Sequence, residues 1–358
     1  MDLLSTDEFA AELPRRLETA TRRVSVQLMT FDGDAAGFEV AEALIGAVGR
    51  GVRVRLLIDC FALRYVSDER VNRPGVRAEF AATRKLYRRL RHQGVELAFT
   101  SPNGPLGIYS LARNHKKLFV IDDHAYLGGI NVSDHNYSWH DFMVGLDDPV
   151  LVAHIADDFD YSFAGRRQTL DGPILTNTAI EATFDELVTS ARDRVVVASP
   201  YAIDRHLADL MEQSTATHKT VIVAADNNFR FLELITPYVT GRLAAAGATV
   251  ATYGRFSHAK FVLADERLLI GSSNYGRHSF WCNQEVGLVI DDAAFVDAFA
   301  ARMLADLVPA HHGVAPGRRA MGRLASAGMD TFLRFYARAI VPRVPLVAPD
   351  TAALIEGP

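Results

Sequence analysis

Cysteine is almost missing from this chain: Cys60 and Cys282 are the only two in 358 residues, far apart and each within an apolar stretch. So few thiols exclude a disulfide framework and fit two reduced side chains in a cytoplasmic protein. Long apolar runs are missing too. Stretches such as 195–198 and 221–225 last four or five residues, far short of the ~20 that a bilayer-spanning helix needs. Residues 1–23 mix acids and bases from Asp2 onward and lack the apolar centre of a signal peptide, so they read as an amphipathic first helix rather than a leader or anchor. Nor is there a surplus of positive charge. Lysine and arginine number 38 against 43 acids, the net charge is -5 and the sequence pI is about 6.2, which argues against a protein that coats nucleic acid. What is plentiful is apolar residues, at 49%, enough to bury one large domain or two fused units.

The most informative positive feature is a repeat. The first copy, NHKKLFVIDDHAYLGGIN, supplies His115, Lys117, Asp122, Gly128 and Asn131, and the second, SHAKFVLADERLLIGSSN, supplies His258, Lys260, Asp265, Gly271 and Asn274 at identical offsets. Each copy is followed by a carboxylate at nearly the same remove, Asp141 and Glu285. A duplicated constellation of six positions is very hard to produce by accident.

The surroundings repeat as well. A β-branched strand precedes each copy, at 23–31 (RVSVQLMTF) and 194–201 (RVVVASPY), and each leads into a helix, 36–48 or about 207–213, and then another strand. The expected fold is therefore α/β: two pseudo-symmetric β-α-β halves, mixed sheets flanked by helices, and one shared active site at their interface. The turn-rich stretch 165–173 places a boundary near residue 170, giving an N-terminal half over 1–170, a C-terminal half over 171–316 and a basic tail over 317–358. Residues 62–87 have no counterpart in the second half. With Arg70, Asn72, Arg73, Pro74 and Gly75 they read as a long loop and helix near the mouth of the site, where specificity tends to reside.

Period-2 alternation in the motif strands puts His115 with Lys117, and His258 with Lys260, on one face, setting an imidazole beside a fixed cation. The turns after each hairpin, Gly128-Gly129 and Gly271-Ser272, let backbone amides and the following Asn approach an anion closely. Together these describe a phosphate pocket. A lysine beside each histidine is a poor ligand and adds charge against a cation, so no metal is expected. The Asp32-Gly33-Asp34 triplet lacks the remaining ligand spacing of a calcium loop and reads as a loop and helix cap. Histidines without a repeat partner, among them His124, His135, His140, His278, His311 and His312, are expected in loops or on the surface.

Residues 20–295, with NHKKLFVIDD and GGIN, then SHAKFVLADE, GSSN and NQE, resemble the phospholipase D superfamily. The RNHKKL context, the GGINVS run, the SWHD segment and the ASPY strand resemble bacterial cardiolipin synthases and their phospholipase D-like relatives. The resemblance implies a phospholipid phosphatidyltransferase or phospholipase D that cleaves a glycerophospholipid through a phosphohistidine, with transfer to an alcohol or water and no cofactor. It assigns His115 as nucleophile and His258 as general acid and base, although the pseudo-twofold pattern of the residues fits the reverse equally. Lys117, Lys260, Asn131 and Asn274 would surround the phosphate, and Asp141 and Glu285 would each accept the Nδ1 proton of a motif histidine. Asp122 and Asp265, with Gly128, Gly129, Gly271 and Ser272, are read as structural supports. The sequence departs from the synthases after Asn274: Tyr275-Gly276-Arg277-His278-Ser279 lacks the acid they tend to carry there, and the membrane helices that begin many of them have no counterpart. Phosphatidylglycerol is the expected lipid. A nuclease of the same superfamily is the alternative, and the net acidity counts against it.

The tail, 317–347, holds six arginines against one acid. As a helix over about 320–340 it would align Phe332, Leu333, Tyr336 and Ile340 in one stripe. Such a helix suits either an anionic membrane surface, which would place the protein at the inner face of the membrane, or docking on the enzyme itself.

Overall fold

The structure is a computed structural model describing residues 1–67, 69–70, 76–166, 172–201, 204–224, 232–309 and 316–356. The boundary expected near residue 170, the loop residues Asn72, Arg73, Pro74 and Gly75, and His311 and His312 lie outside the described residues. Contacts divide the chain into two compact units, Met1–Ile174 with Arg343–Pro358, and Leu175–Pro342.

The first unit begins with β1 (Asp2–Ser5) and α1 (Thr6–Thr19), followed by β2 (Arg23–Leu28), α2 (Ala35–Gly49) and β3 (Arg53–Asp59). A small hairpin, β4 (Tyr65–Val66) and β5 (Glu69–Arg70), leads to α3 (Arg77–His92) and β6 (Glu96–Thr100). The motif region follows, with β7 (Leu118–Ile121), β8 (His124–Gly128), α4 (Asp134–Tyr137), β9 (Phe142–Leu146) and α5 (Pro149–Phe163). The sheet order is β1-β9-β8-β7-β2-β3-β6. β2, β3 and β6 run parallel, whereas β7, β8 and β9 meander antiparallel from β2.

Along the second unit come β10 (Ile174–Thr176), α6 (Asn177–Ser190), β11 (Arg194–Ala198), α7 (Arg205–Gln213), β12 (His218–Ile222), α8 (Leu232–Ala245) and β13 (Thr249–Tyr253). Its motif region has β14 (Phe261–Ala264), β15 (Arg267–Gly271), α9 (Arg277–Cys282), β16 (Val286–Ile290) and α10 (Ala293–Met303), and the unit closes with β17 (Leu307–Pro309) and α11 (Pro316–Ala339). The sheet order β10-β16-β15-β14-β11-β12-β13-β17 repeats the first apart from the added β17. Register repeats too: Gln27 pairs with Leu118 in one sheet, and Ala198, its counterpart, with Phe261 in the other.

Strands such as RVSVQL are buried almost throughout, as expected of sheet covered on both faces. Helix starts are written into the sequence. Asp34 caps α2 through the Gly37 amide, and Asp148 and Asp292 cap α5 and α10 after equivalent strands; each such cap contributes about 1 kcal/mol. The thiols of Cys60 and Cys282 are buried and unpaired, and burial pushes both up to about 12.

Two expectations are corrected. Strand β7 starts at Leu118 and β14 at Phe261, so each motif histidine and lysine precedes its strand rather than lying within it. His124, expected at the surface, is 4% exposed within β8, its Nδ1 2.5 Å from Asp147 and its ring edge-on to Tyr126. The tail helix α11 lies in the second unit, with Leu333 and Tyr336 buried. The final helix, α12 (Thr351–Glu356), belongs to the first unit, where the Ile355 carbonyl accepts from Arg84 and Arg88 on α3.

Candidate active site

In each unit the motif histidine and lysine lie in extended chain just before the strand next to the central parallel strand. His115 and His258 are 7% and 6% exposed, and Lys117 and Lys260 are fully buried. Each ammonium turns back to donate to the carbonyl of its own histidine, Lys117 Nζ to His115 O at 2.7 Å and Lys260 Nζ to His258 O at 2.6 Å. A buried ammonium is costly unless it meets acceptors or an anion. The geometry therefore ties one buried ammonium to the backbone of each motif histidine, twice over.

The aspartates seven residues on from the histidines sit at the hairpin turns with positive φ. Asp122 accepts from the Thr21, Arg22 and Arg23 amides, and Asp265 from those of Arg192, Asp193 and Arg194. Each carboxylate thus ties the motif hairpin to the start of the central strand. Close packing explains the glycines that end the hairpins: a Cβ at Gly128 would run into the Phe142 carbonyl, and one at Gly271 into that of Val286.

The asparagines differ between the units. Asn131 Oδ1 accepts from the Met29 and Thr30 amides, at 3.1 and 3.3 Å, and its amide group donates to Asn136. At the position equivalent to Met29 the second unit carries Pro200, which has no N–H to give. Asn274 Oδ1 is correspondingly buried without a hydrogen-bond partner among the described residues.

Asp141 and Glu285 are 3% and 0% exposed. Asp141 accepts from the Phe142 amide, whereas Glu285 accepts from the Ser272 hydroxyl at 2.5 Å and from the Asn283 amide group at 3.1 Å.

Two buried ion pairs beside His115 escaped the sequence reading. Lys116 Nζ lies 2.7 Å from both oxygens of Asp158 on α5. Asp59, at the end of β3, accepts from Arg113 at 3.0 Å and from the Asn114 amide at 2.6 Å. Burial pushes the Asp59 carboxyl up, against the guanidinium and the amides that favour its charge. Asn114 Oδ1 in turn accepts from Gln27 on β2. The second unit has Ala259 and Ser257 in place of Lys116 and Asn114, so this bracing belongs to the first half-site alone. The repeat that revealed the half-sites could not reveal it. Asp32, Asp34 and Glu79 bring carboxylate oxygens within 4.8 Å of one another, apart from either motif in sequence.

Comparison with known proteins is consistent with this arrangement. The family described as "Cardiolipin synthase, PLD-like domain" matches residues 13–162 and 184–307. Cardiolipin synthase A of Erwinia tasmaniensis is 26% identical over 336 residues, covering 82% of this chain and 66% of its own length. The major cardiolipin synthase of Bacillus subtilis is 25% identical, covering 82% and 65%. The chain thus spans just under two thirds of the length of these relatives. A phosphatidylserine synthase of Haemophilus influenzae shares the fold, with a TM-score of 0.68 over 96% of this chain and 94% of its own at 13% identity.

Proposed function

Since this chain belongs to the phospholipase D-like family of the cardiolipin synthase domain, we propose that it is a phosphatidyltransferase acting on a glycerophospholipid, with phosphatidylglycerol as donor. The observation that carries this reading is the duplicated placement of a nearly buried motif histidine whose backbone carbonyl accepts from a fully buried ammonium. A phosphodiester repels nucleophiles by its charge, so its cleavage needs a neutral nucleophile with cations and amide donors around the non-bridging oxygens. Two histidines, two lysines and two asparagines provide that set.

In the proposed reaction His115 attacks phosphorus through a ring nitrogen, a P–N bond forms, and the P–O bond to the leaving alcohol breaks. His258 gives its proton to the departing oxygen. An incoming hydroxyl then surrenders its proton to His258 and attacks phosphorus. The P–N bond breaks, and both histidines return to their starting state. An alcohol such as a second lipid's glycerol gives transfer, and water gives hydrolysis. Asp141 and Glu285 would hold the tautomer of the motif histidines. The bracing of Arg113, Asn114 and Lys116 around His115 supports giving the covalent role to that residue, since a nucleophile gains most from a fixed position.

The test is incubation with phosphatidylglycerol in EDTA, with and without added ethanol, beside a parallel incubation with single-stranded DNA. Formation of cardiolipin or phosphatidylethanol is expected. Untouched lipid beside cleaved DNA would refute the lipid reading.

A further inference from the structure

Helix α11 has two apolar faces, and only one is used within the fold. Leu333 and Tyr336 are 6% and 5% exposed, Ala325 packs on the core of the second unit, and Asp330 accepts from Arg277 of α9 at 2.6 Å. The inner face is therefore pinned in place. Phe332, which the sequence groups with Leu333 and Tyr336, keeps its ring 6.0 Å from that of Tyr336 but stands half-exposed at the edge of an outer face. There Met321, Leu324, Phe332 and Phe335 are 58%, 69%, 46% and 64% exposed, and with Gly328 between them they advance by three or four residues along one stripe. Isolated exposed apolar side chains need no explanation, but four aligned on one docked helix do.

Exposed arginines border the stripe along one side, Arg323, Arg334 and Arg338, with Arg334 also lying over the Trp281 ring. We propose that this outer face of α11 is the surface by which the protein lies on an anionic lipid bilayer. Rings and aliphatic chains would enter the boundary between headgroups and acyl chains, and guanidinium groups would meet phosphate oxygens beside them. No helix of the described residues is long and apolar enough to cross a membrane, and a face of this kind needs none. A second copy of the chain suits the surface less well, because a twofold contact through the stripe would bring like-charged arginine rows together. The identity of the surface rests on the lipid reading above; the two-faced helix does not.

The experiment is sedimentation of the full chain with vesicles of equal parts phosphatidylglycerol and phosphatidylcholine, in a His258→Ala background so that the lipid stays intact. Leu324→Ser with Phe335→Ser should weaken partitioning at least about tenfold, and Arg323→Glu with Arg338→Glu should remove most of its salt dependence. With His258 intact, both pairs should keep wild-type turnover of a short-chain soluble diester, which also shows that they fold. Unchanged partitioning, equal binding to pure phosphatidylcholine, or a dimer that Leu324→Ser with Phe335→Ser dissociates would each overturn the proposal. Loss of turnover on every substrate with vesicle binding retained would instead count against the proposed reaction.

Discussion

The Ser272 hydroxyl donates to Glu285 at 2.5 Å, and in the first unit Gly129 and Asp141 take the two equivalent places. A Cβ on Gly129 would overlap both carboxylate oxygens of Asp141. One unit therefore combines a bare backbone with the shorter acid, and the other a hydroxyl with the longer one. Each pair is matched internally, so exchanging single members should not be conservative.

Gly129→Ala is accordingly expected to displace the Asp141 carboxylate and lower kcat by roughly a hundredfold or more, the scale on which small misplacements near a reacting centre act. Ser272→Ala removes one donor from Glu285 without a clash, and should lower kcat about tenfold. Steady-state kinetics on a soluble diester check both, and wild-type kcat in Gly129→Ala would show that the position of Asp141 is immaterial.

Asp122 and Asp265 predict a pH dependence of stability. Partial burial pushes each carboxyl up, but the backbone amides donating to it outweigh this and hold both below the ordinary carboxylate value. A group with a lowered folded-state pKa stabilises the fold above its unfolded value, near pH 4, and loses that contribution as pH falls through the folded one. Asp122→Asn and Asp265→Asn should each cost about 1 kcal/mol at pH 7, a modest figure because both sites are partly exposed. The difference from wild type should shrink below about pH 3. Denaturant melts across that range test this, and a pH-independent difference would contradict it.

Chelation should leave turnover unchanged. In the proposed reaction the charge stabilisation that a metal supplies in other phosphodiesterases would come from lysines and asparagines. Activity lost in EDTA and restored by zinc or magnesium would reverse that assignment.

The half-sites were legible because their residues recur at fixed offsets along the chain, and the β-α-β order because β-branched runs alternate with helical ones. The bracing of His115 was not, since Lys116 meets an acid 42 residues away and Arg113 one 54 residues away, and neither pair is duplicated. The exact start of β7 was also hidden. Alternation continues from Lys117 into Leu118, but the lysine turns back to the His115 carbonyl instead of joining the ladder. In α11 the periodicity correctly indicates a helix and groups Phe332 with Tyr336, whose rings lie 6.0 Å apart, but it does not show that Phe332 stands half-exposed at the edge of a second apolar face while Leu333 and Tyr336 are buried.

The central claim is that two half-sites act as one catalytic unit, and turnover by His115→Ala, His258→Ala and the double variant tests it most directly. Members of one unit are non-additive, so each single change should lower kcat by roughly a thousandfold or more and the double change little further. Two independent sites would instead leave each single variant with a substantial share of wild-type activity, only the double variant being inactive, and that result would contradict the account.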